Sequence, residues 1–407
     1  MACRNILDML SESKDISCGV VSTLPQQRVN GCFEFFPVST IPDRYPAPYF
    51  HDMRHFWLQK DSNVKKQIKE IIKKFSPDLV HFHNFHVLTF SSLEAVAESG
   101  IPAVASIYDY WLFCPTDMLL DVDNKICKQG HGFSCIHRCL KTRLQKKSHY
   151  LRNLPIFTRR TYFQQRMRLF NRIIALSDNS RRVILRHNPD GPAVDVAPLP
   201  LQTRKPHPGF RSFETPTIMF AGWVQARKGP DVLVRAMADV VKKQPRARLI
   251  IVGPLSESSF EAYIKNLVVA LGVEKNVIFT GKLPAEEFNK IFYGSLIVAI
   301  AEQWENMSPV FALEAMSAKK AIVTGAIGGI PEYIRNGEDG ITVTYNDPKA
   351  YAEAIIKLLD DEKLVRDLGE SALKRVTELC SRDRVFEKLV TVYNRAILDA
   401  RSTMNCN

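Results

Sequence analysis

The chain has 407 residues, 45% of them apolar and 24% charged, with a formal net charge of +12. That length exceeds one ordinary core and predicts two domains, and the composition is that of a soluble globular protein. No run of about eighteen apolar residues occurs, which excludes a predicted membrane-spanning helix.

Residues 1–15, MACRNILDMLSESKD, carry a helical pattern over Cys3–Leu10 and no signal-peptide pattern, so a cytoplasmic location is expected. Strands are predicted at Gly19–Ser22, Asp78–Phe82, Ala103–Ile107, Ile173–Leu176 and Val194–Ala197. A second, more regular series follows at Thr217–Ala221, Arg248–Val252, Val277–Thr280, Leu296–Ile300, Ala321–Thr324 and Gly340–Val343. Helical patterns such as Pro230–Gln244 and Phe260–Leu271 fall between them. Strands apolar on both faces, alternating with helices, predict α/β domains with parallel sheets facing a cleft at their carboxyl ends. The expected division is a first domain over 1–199, a proline-bearing linker over 200–216, a second domain over 217–380 and a helical segment over 381–407 that packs back on the first. A parallel α/β domain normally opens with a strand and a glycine-rich turn; here a helix comes first, so the first domain reads as incomplete at its start.

Charge is uneven. From Arg138 to Arg186 fourteen Lys and Arg stand against one acid, Asp178, and the rest of the chain is nearly neutral. Tyr150, Phe157, Tyr162, Phe163 and Phe170 are interleaved with these bases, a pattern that suits an anionic membrane surface, a nucleic acid or a solvated helix face. Cys114, Cys127, Cys135 and Cys139, with His131 and His137 among them, pose a choice between a structural zinc and core thiols. Their C-x12-C-x7-C-x3-C spacing lacks the usual paired CxxC knuckles. His81, His83 and His86 end a predicted strand, where a polar or packing role is expected rather than a metal.

Three segments of the second half carry candidate chemistry. In EQWENMSPVFALEAM (302–316), Ser308 and Pro309 read as N-cap and first turn of a helix, whose free N–H groups attract anions or sugar oxygens. Glu302 and Glu305 precede it, and Glu314 lies inside it among apolar residues. In FAGWVQARKG (220–229), Lys228 stands near a helix start, where a cation is unfavourable unless an anion binds there. In GAIGGIPEYI (325–334), Gly328 and Gly329 allow close backbone approach to a ligand.

In this order and spacing the three segments resemble the C-terminal half of the GT4 family of nucleotide-sugar glycosyltransferases, which have the GT-B fold. The family pattern runs G-R-x-x-x-x-K-G, then E-x7-E-A, then a glycine pair followed by E and D/N-G, and residues 217–345 follow it. PDLVHFHN (77–84), GIPAVASIYDYWLFCP (100–115) and RIIALSDNSR (172–181) look like family segments of the first half. The resemblance implies a GT-B protein with two Rossmann-like domains, transferring a sugar from a UDP- or GDP-sugar to a glycan or lipid-linked acceptor. It implies retention of configuration, and neither a cofactor nor a catalytic metal.

By the same resemblance, Glu314 binds the ribose hydroxyls of the donor, and Lys228 neutralises its diphosphate. Gly222 and Arg227 flank that lysine. Backbone N–H groups from Met307, Ser308 and Val310, around Pro309, hold the transferred sugar, and Gly281, Lys282 and Leu283 lie near the base. Asn306 stands eight residues before Glu314, where the family has its first glutamate, and Glu305 stands nine before; both are catalytic candidates with Lys228. Trp223 replaces the family's arginine, with Arg227 as its substitute. Tyr108, followed by Asp109, replaces a frequent histidine on the acceptor side, where His83 also falls. These departures and the absent first strand admit an alternative, a catalytically impaired donor-binding scaffold or regulator. Nucleic acid binding is a lesser expectation.

Overall fold

A computed structural model describes residues 2–23, 33–40, 60–83, 88–114, 116–121, 123, 125–128, 135, 139, 156–201, 213–255 and 258–404. His86, His131, His137, most of 138–155 and most of the linker lie outside the described residues. The chain divides into two compact units, Met1–Pro200 with Arg382–Asn407, and Leu201–Ser381.

The first unit opens with α1 (Ala2–Leu10), then β1 (Cys18–Ser22) and β2 (Phe33–Pro37), which pair in parallel. β2 was not marked by the sequence pattern: FEFFP is short and ends on proline, a weak strand signal. α2 (Ser62–Phe75) follows, its start capped by the Asp61 carboxylate, which accepts the N–H groups of Asn63 and Val64. Next come β3 (Val80–Phe82), α3 (Thr89–Glu98), β4 (Ala103–Ser106), α4 (Ile156–Met167), β5 (Arg172–Ala175), α5 (Asp178–His187) and β6 (Ala193–Val196). β3 to β6 form a parallel sheet in sequence order, separate from the β1–β2 pair. The expected parallel strands are present, within a residue or two of their predicted bounds, and among the described residues they form a two-stranded and a four-stranded piece.

The second unit contains β7 (Thr217–Ala221), α6 (Pro230–Lys243), β8 (Arg248–Val252), α7 (Ser258–Ala270), β9 (Val277–Gly281), α8 (Ala285–Gly294), β10 (Ile297–Ile300), α9 (Val310–Ser317), β11 (Ala321–Gly325), α10 (Ile330–Tyr333), β12 (Ile341–Val343), α11 (Pro348–Leu359) and α12 (Glu362–Cys380). Its parallel sheet has the order β12-β11-β10-β7-β8-β9. The chain winds outward from β7 to β9, crosses back to β10 beside β7, and continues to β12. The order therefore reverses between β7 and β10, the place where open α/β sheets leave a crevice at their carboxyl ends. β10 and β11 are buried on both faces, and Val232, Leu233, Ala236, Met237 and Val240 of α6 pack on the same core. This is why these strands read as continuous Val/Ile runs.

The helix α13 (Arg382–Met404) ends the described chain and belongs to the first unit. Val385, Leu389, Val392 and Ala396 are buried at helical spacing, and the helix packs against α1 and β4.

Candidate functional site

The three segments of the second unit converge at the carboxyl ends of β7, β10 and β11. After β7, Gly222 donates its N–H to Val252 at 2.9 Å, and Trp223 is exposed. A 3₁₀ turn over Ala226–Lys228 precedes Gly229, whose left-handed backbone (φ 64°) starts α6 with Pro230 in the first turn. Gly229 lies against the next strand end: a Cβ there would sit 2.0 Å from the Ala301 carbonyl oxygen. Beside it the Gln303 N–H donates to the Arg227 carbonyl at 2.8 Å. The turn bearing Arg227 and Lys228 is thus clamped to the loop after β10.

The side chains complete the clamp. The Lys228 ammonium meets Glu302 Oε1 at 2.5 Å, and the Trp304 indole N–H donates to Glu302 Oε2 at 2.5 Å. Glu302 is buried, while Lys228 keeps 21% of its side-chain surface open. Arg227 donates Nε–H to Gln225 Oε1 at 3.0 Å, and its guanidinium lies 5.7 Å from the Trp304 ring centroid. Glu302 had no role assigned from sequence. Its partner is 74 residues away, and only the pairing of β7 with β10 brings the two together.

The same loop also meets the glycine pair. Gly328 (φ 59°) approaches Asn306 so closely that a Cβ would lie 2.6 Å from its nitrogen, and the Gly329 N–H donates to the Asn306 carbonyl at 2.9 Å. The Asn306 side-chain oxygen accepts the Ser308 N–H at 3.1 Å, so this side chain shapes the loop. Glu305 is half-buried beside it, and Met307 is fully buried.

α9 begins one residue later than expected, with Pro309 at the cap position and no side chain capping it. The predicted N-cap bond from Ser308 is not formed; the proline takes the cap place itself, and the Val310 N–H donates to the Ser308 carbonyl at 2.9 Å. Glu314 is half-buried rather than enclosed. It lies four residues after exposed Val310, while Ala312, Leu313, Ala315 and Met316 are buried.

Gly281 ends β9, and Lys282 and Leu283 follow it at the same end of the sheet. The Gly253 N–H donates to the Gly281 carbonyl at 3.0 Å, and a Cβ on Gly253 would lie 1.9 Å from the Gly222 oxygen. Lys282 is exposed.

In the first unit, His83 Nδ1 is 2.6 Å from the Tyr108 hydroxyl, and Asp109 accepts the Trp111 N–H at 2.9 Å. His81 lies between Tyr393 on α13 (2.8 Å) and Ser106 (2.9 Å), its ring centroid 4.0 Å from that of His83. Burial pushes His83 down to about 4. Burial and the neighbouring His83 hold His81 well below the usual range, and burial also raises the Tyr108 and Tyr393 hydroxyls. Tyr393 and Ser106 were not foreseen from sequence.

No disulfide joins Cys114, Cys127, Cys135 and Cys139, and burial with the three neighbouring thiols pushes Cys139 up to about 11. Yet among the described residues no three His, Cys, Asp or Glu side chains are grouped to hold a metal. Cys114 Sγ lies 3.1 Å from Thr116 Oγ1. Among the described residues of the basic segment, several bases are paired. Arg166 pairs with Glu94, Arg168 with Asp190, Arg172 with Asp195 and Asp399, and Arg181 with Asp178. Arg159 is buried over the Phe163 ring, and Phe163 and Phe170 are core residues.

Comparison with known proteins agrees with this geometry. A model of "Glycosyltransferase Family 4" matches residues 29–204, and one of "Glycosyl transferases group 1" matches residues 206–375. The chain belongs to the GT4 family of glycosyltransferases. A D-inositol 3-phosphate glycosyltransferase of Corynebacterium aurimucosum is 36% identical over 163 residues, 39% of this chain and 38% of that protein. The match thus spans well under half the length of such curated relatives. Among solved structures, a glycosyltransferase from Rickettsia africae aligns over 97% of this GT4 chain and 94% of its own, with a TM-score of 0.68 at 17% identity. Anabaena Alr3699/HepE in complex with UDP covers 97% and 96%, with a TM-score of 0.68 at 15% identity. At such identities the likeness shows the fold, the GT-B arrangement of α/β units with parallel sheets.

Proposed function

We propose that the chain transfers a sugar from a UDP- or GDP-sugar to a glycan or lipid-linked acceptor with retention of configuration. The observation that carries this reading is the clamped convergence of Lys228, the 302–310 loop and Gly328–Gly329 at the strand-order reversal between β7 and β10. In it, Lys228 neutralises the diphosphate as charge develops on the leaving group, the effect by which a preorganised cation lowers a barrier. Backbone N–H groups around Met307 to Val310 hold the transferred sugar, and half-buried Glu314 accepts ribose hydroxyls. Glu305 and Asn306 line the sugar, and Gly281–Leu283 lie toward the base. The UDP complex of the Anabaena protein supports a uridine donor by analogy of fold.

Release of free UDP or GDP from nucleotide sugars tests the reading. Lys228→Ala is expected to lower turnover about 100-fold, as loss of one charge-stabilising group does. Glu314→Ala is expected to weaken donor binding about tenfold or more, the cost of a hydrogen bond to a charged group. Full activity in both variants would sink the site assignment.

A second reading, a donor-binding protein without transfer, is favoured by Asn306, which stands where the family has its first glutamate and whose side-chain oxygen accepts the Ser308 N–H. Calorimetry that detects UDP or GDP binding in a chain with no transfer to any acceptor selects it. Peripheral association with an anionic membrane, the setting of a lipid-linked acceptor, rests on those bases of Arg138–Arg186 not taken by internal ion pairs. Among the described residues no helix is long and apolar enough to cross a membrane. Sedimentation with anionic vesicles at low salt, reversed by high salt, is expected; equal sedimentation with neutral vesicles counts against it.

A further inference from the structure

The ion pair at the strand ends is asymmetric. Both oxygens of Glu302 are occupied, one by the Lys228 ammonium and one by the Trp304 indole N–H, each at 2.5 Å. Only 8% of the Glu302 side chain is open to solvent, against 21% for Lys228. The backbone on both sides is fixed by the approach of Gly229 to Ala301 and by the Gln303–Arg227 bond. An anion arriving at these strand ends reaches the ammonium, while the carboxylate stays in place behind it.

We infer that Glu302 is a positioning residue that holds Lys228 ready for a diphosphate and sets diphosphate affinity by competing with it, a role that rests on the donor-site reading above. A carboxylate against an ammonium cancels much of the field an approaching diphosphate would feel, and adds repulsion of its own. Neutralising that carboxylate leaves a partly buried cation uncompensated, which destabilises the fold until an anion binds. Glu302→Gln therefore lowers stability and raises diphosphate affinity together. A carboxylate with a purely structural role lowers stability without that gain.

Calorimetry on the full chain with inorganic pyrophosphate, UDP and uridine tests this. In Glu302→Gln, pyrophosphate and UDP are expected to bind about tenfold tighter, with uridine unchanged and the melting temperature lower. Equal or weaker binding of both phosphates by the folded variant overturns the role of Glu302. Should Glu302→Gln fail to fold, Glu302→Asp keeps the charge on a shorter arm and is expected to shift phosphate affinity in the same direction; no shift overturns the role as well. If the unaltered chain binds neither UDP nor GDP, the donor-site reading itself fails and takes this role with it. If it binds UDP and the variants bind no tighter, only Glu302 has been misassigned.

Discussion

At the scale of single residues, placement decides chemistry more than identity does. His83 and His81 share a strand end with hydroxyl partners on β4, on the loop after it and on α13, and burial keeps both imidazoles neutral in the fold. An unfolded histidine titrates near 6.5, whereas His83 does so at about 4. Between those values the unfolded chain binds more protons, so the stability contributed by the neutral ring is complete above about pH 6.5 and is lost as pH falls toward 4. The denaturation midpoint of the first unit should fall across that window, and His83→Gln should flatten the slope. An unchanged slope in the variant would show that other groups govern the acid response.

At the scale of elements, short turns carry the site. Gly229 must be left-handed and must let the Ala301 carbonyl approach, whereas Gly272, also left-handed (φ 66°), has no atom within 4 Å of a prospective Cβ. Gly229→Ala combines strain with a backbone clash and is expected to cost about 3 kcal/mol. Because the same turn aims Lys228, UDP affinity should fall with it. Gly272→Ala carries only the conformational penalty, about 1 kcal/mol, and should leave affinity intact. Thermal unfolding and UDP titration of the two variants separate the cases; equal losses in both would mean that the contact between the turn and Ala301 is unimportant.

At the scale of the whole molecule, the last helix belongs to the first unit. α13 buries Val385, Leu389, Val392 and Ala396, and its polar face is tied down by Arg395 to Asp195, Asp399 to Arg172 and Arg382 to Glu12. Three buried aliphatic side chains at about 2 kcal/mol each amount to about 6 kcal/mol, comparable to the stability of an ordinary domain. A chain ending at Ser381 should lose the fold of the first unit and keep that of Leu201–Ser381. Limited proteolysis would then leave a resistant fragment starting near Leu201. Survival of both units would show that α13 is dispensable.

Much of this was legible in the residues themselves. The strands of the second half stood out because both their faces are buried, which demands unbroken Val and Ile. Lys228, the 302–316 loop and the glycine pair stood out because their order and spacing match a family pattern. β2 was missed because five residues ending in proline make a faint signal. The orientation of Glu314 was not legible because α9 is apolar almost all round, so its pattern does not say which face is covered. The partnership of Glu302 was not legible because no local pattern couples residues 74 apart. By itself the sequence determined the parallel α/β class, the family and the candidate donor segments, since these rest on periodicity and local motif. Only the tertiary structure decided which carboxylate holds Lys228, that Glu314 is half-buried and that four of the eight described bases of the basic segment pair with acids. Those outcomes depend on which chain segments sheet order and helix packing bring into contact.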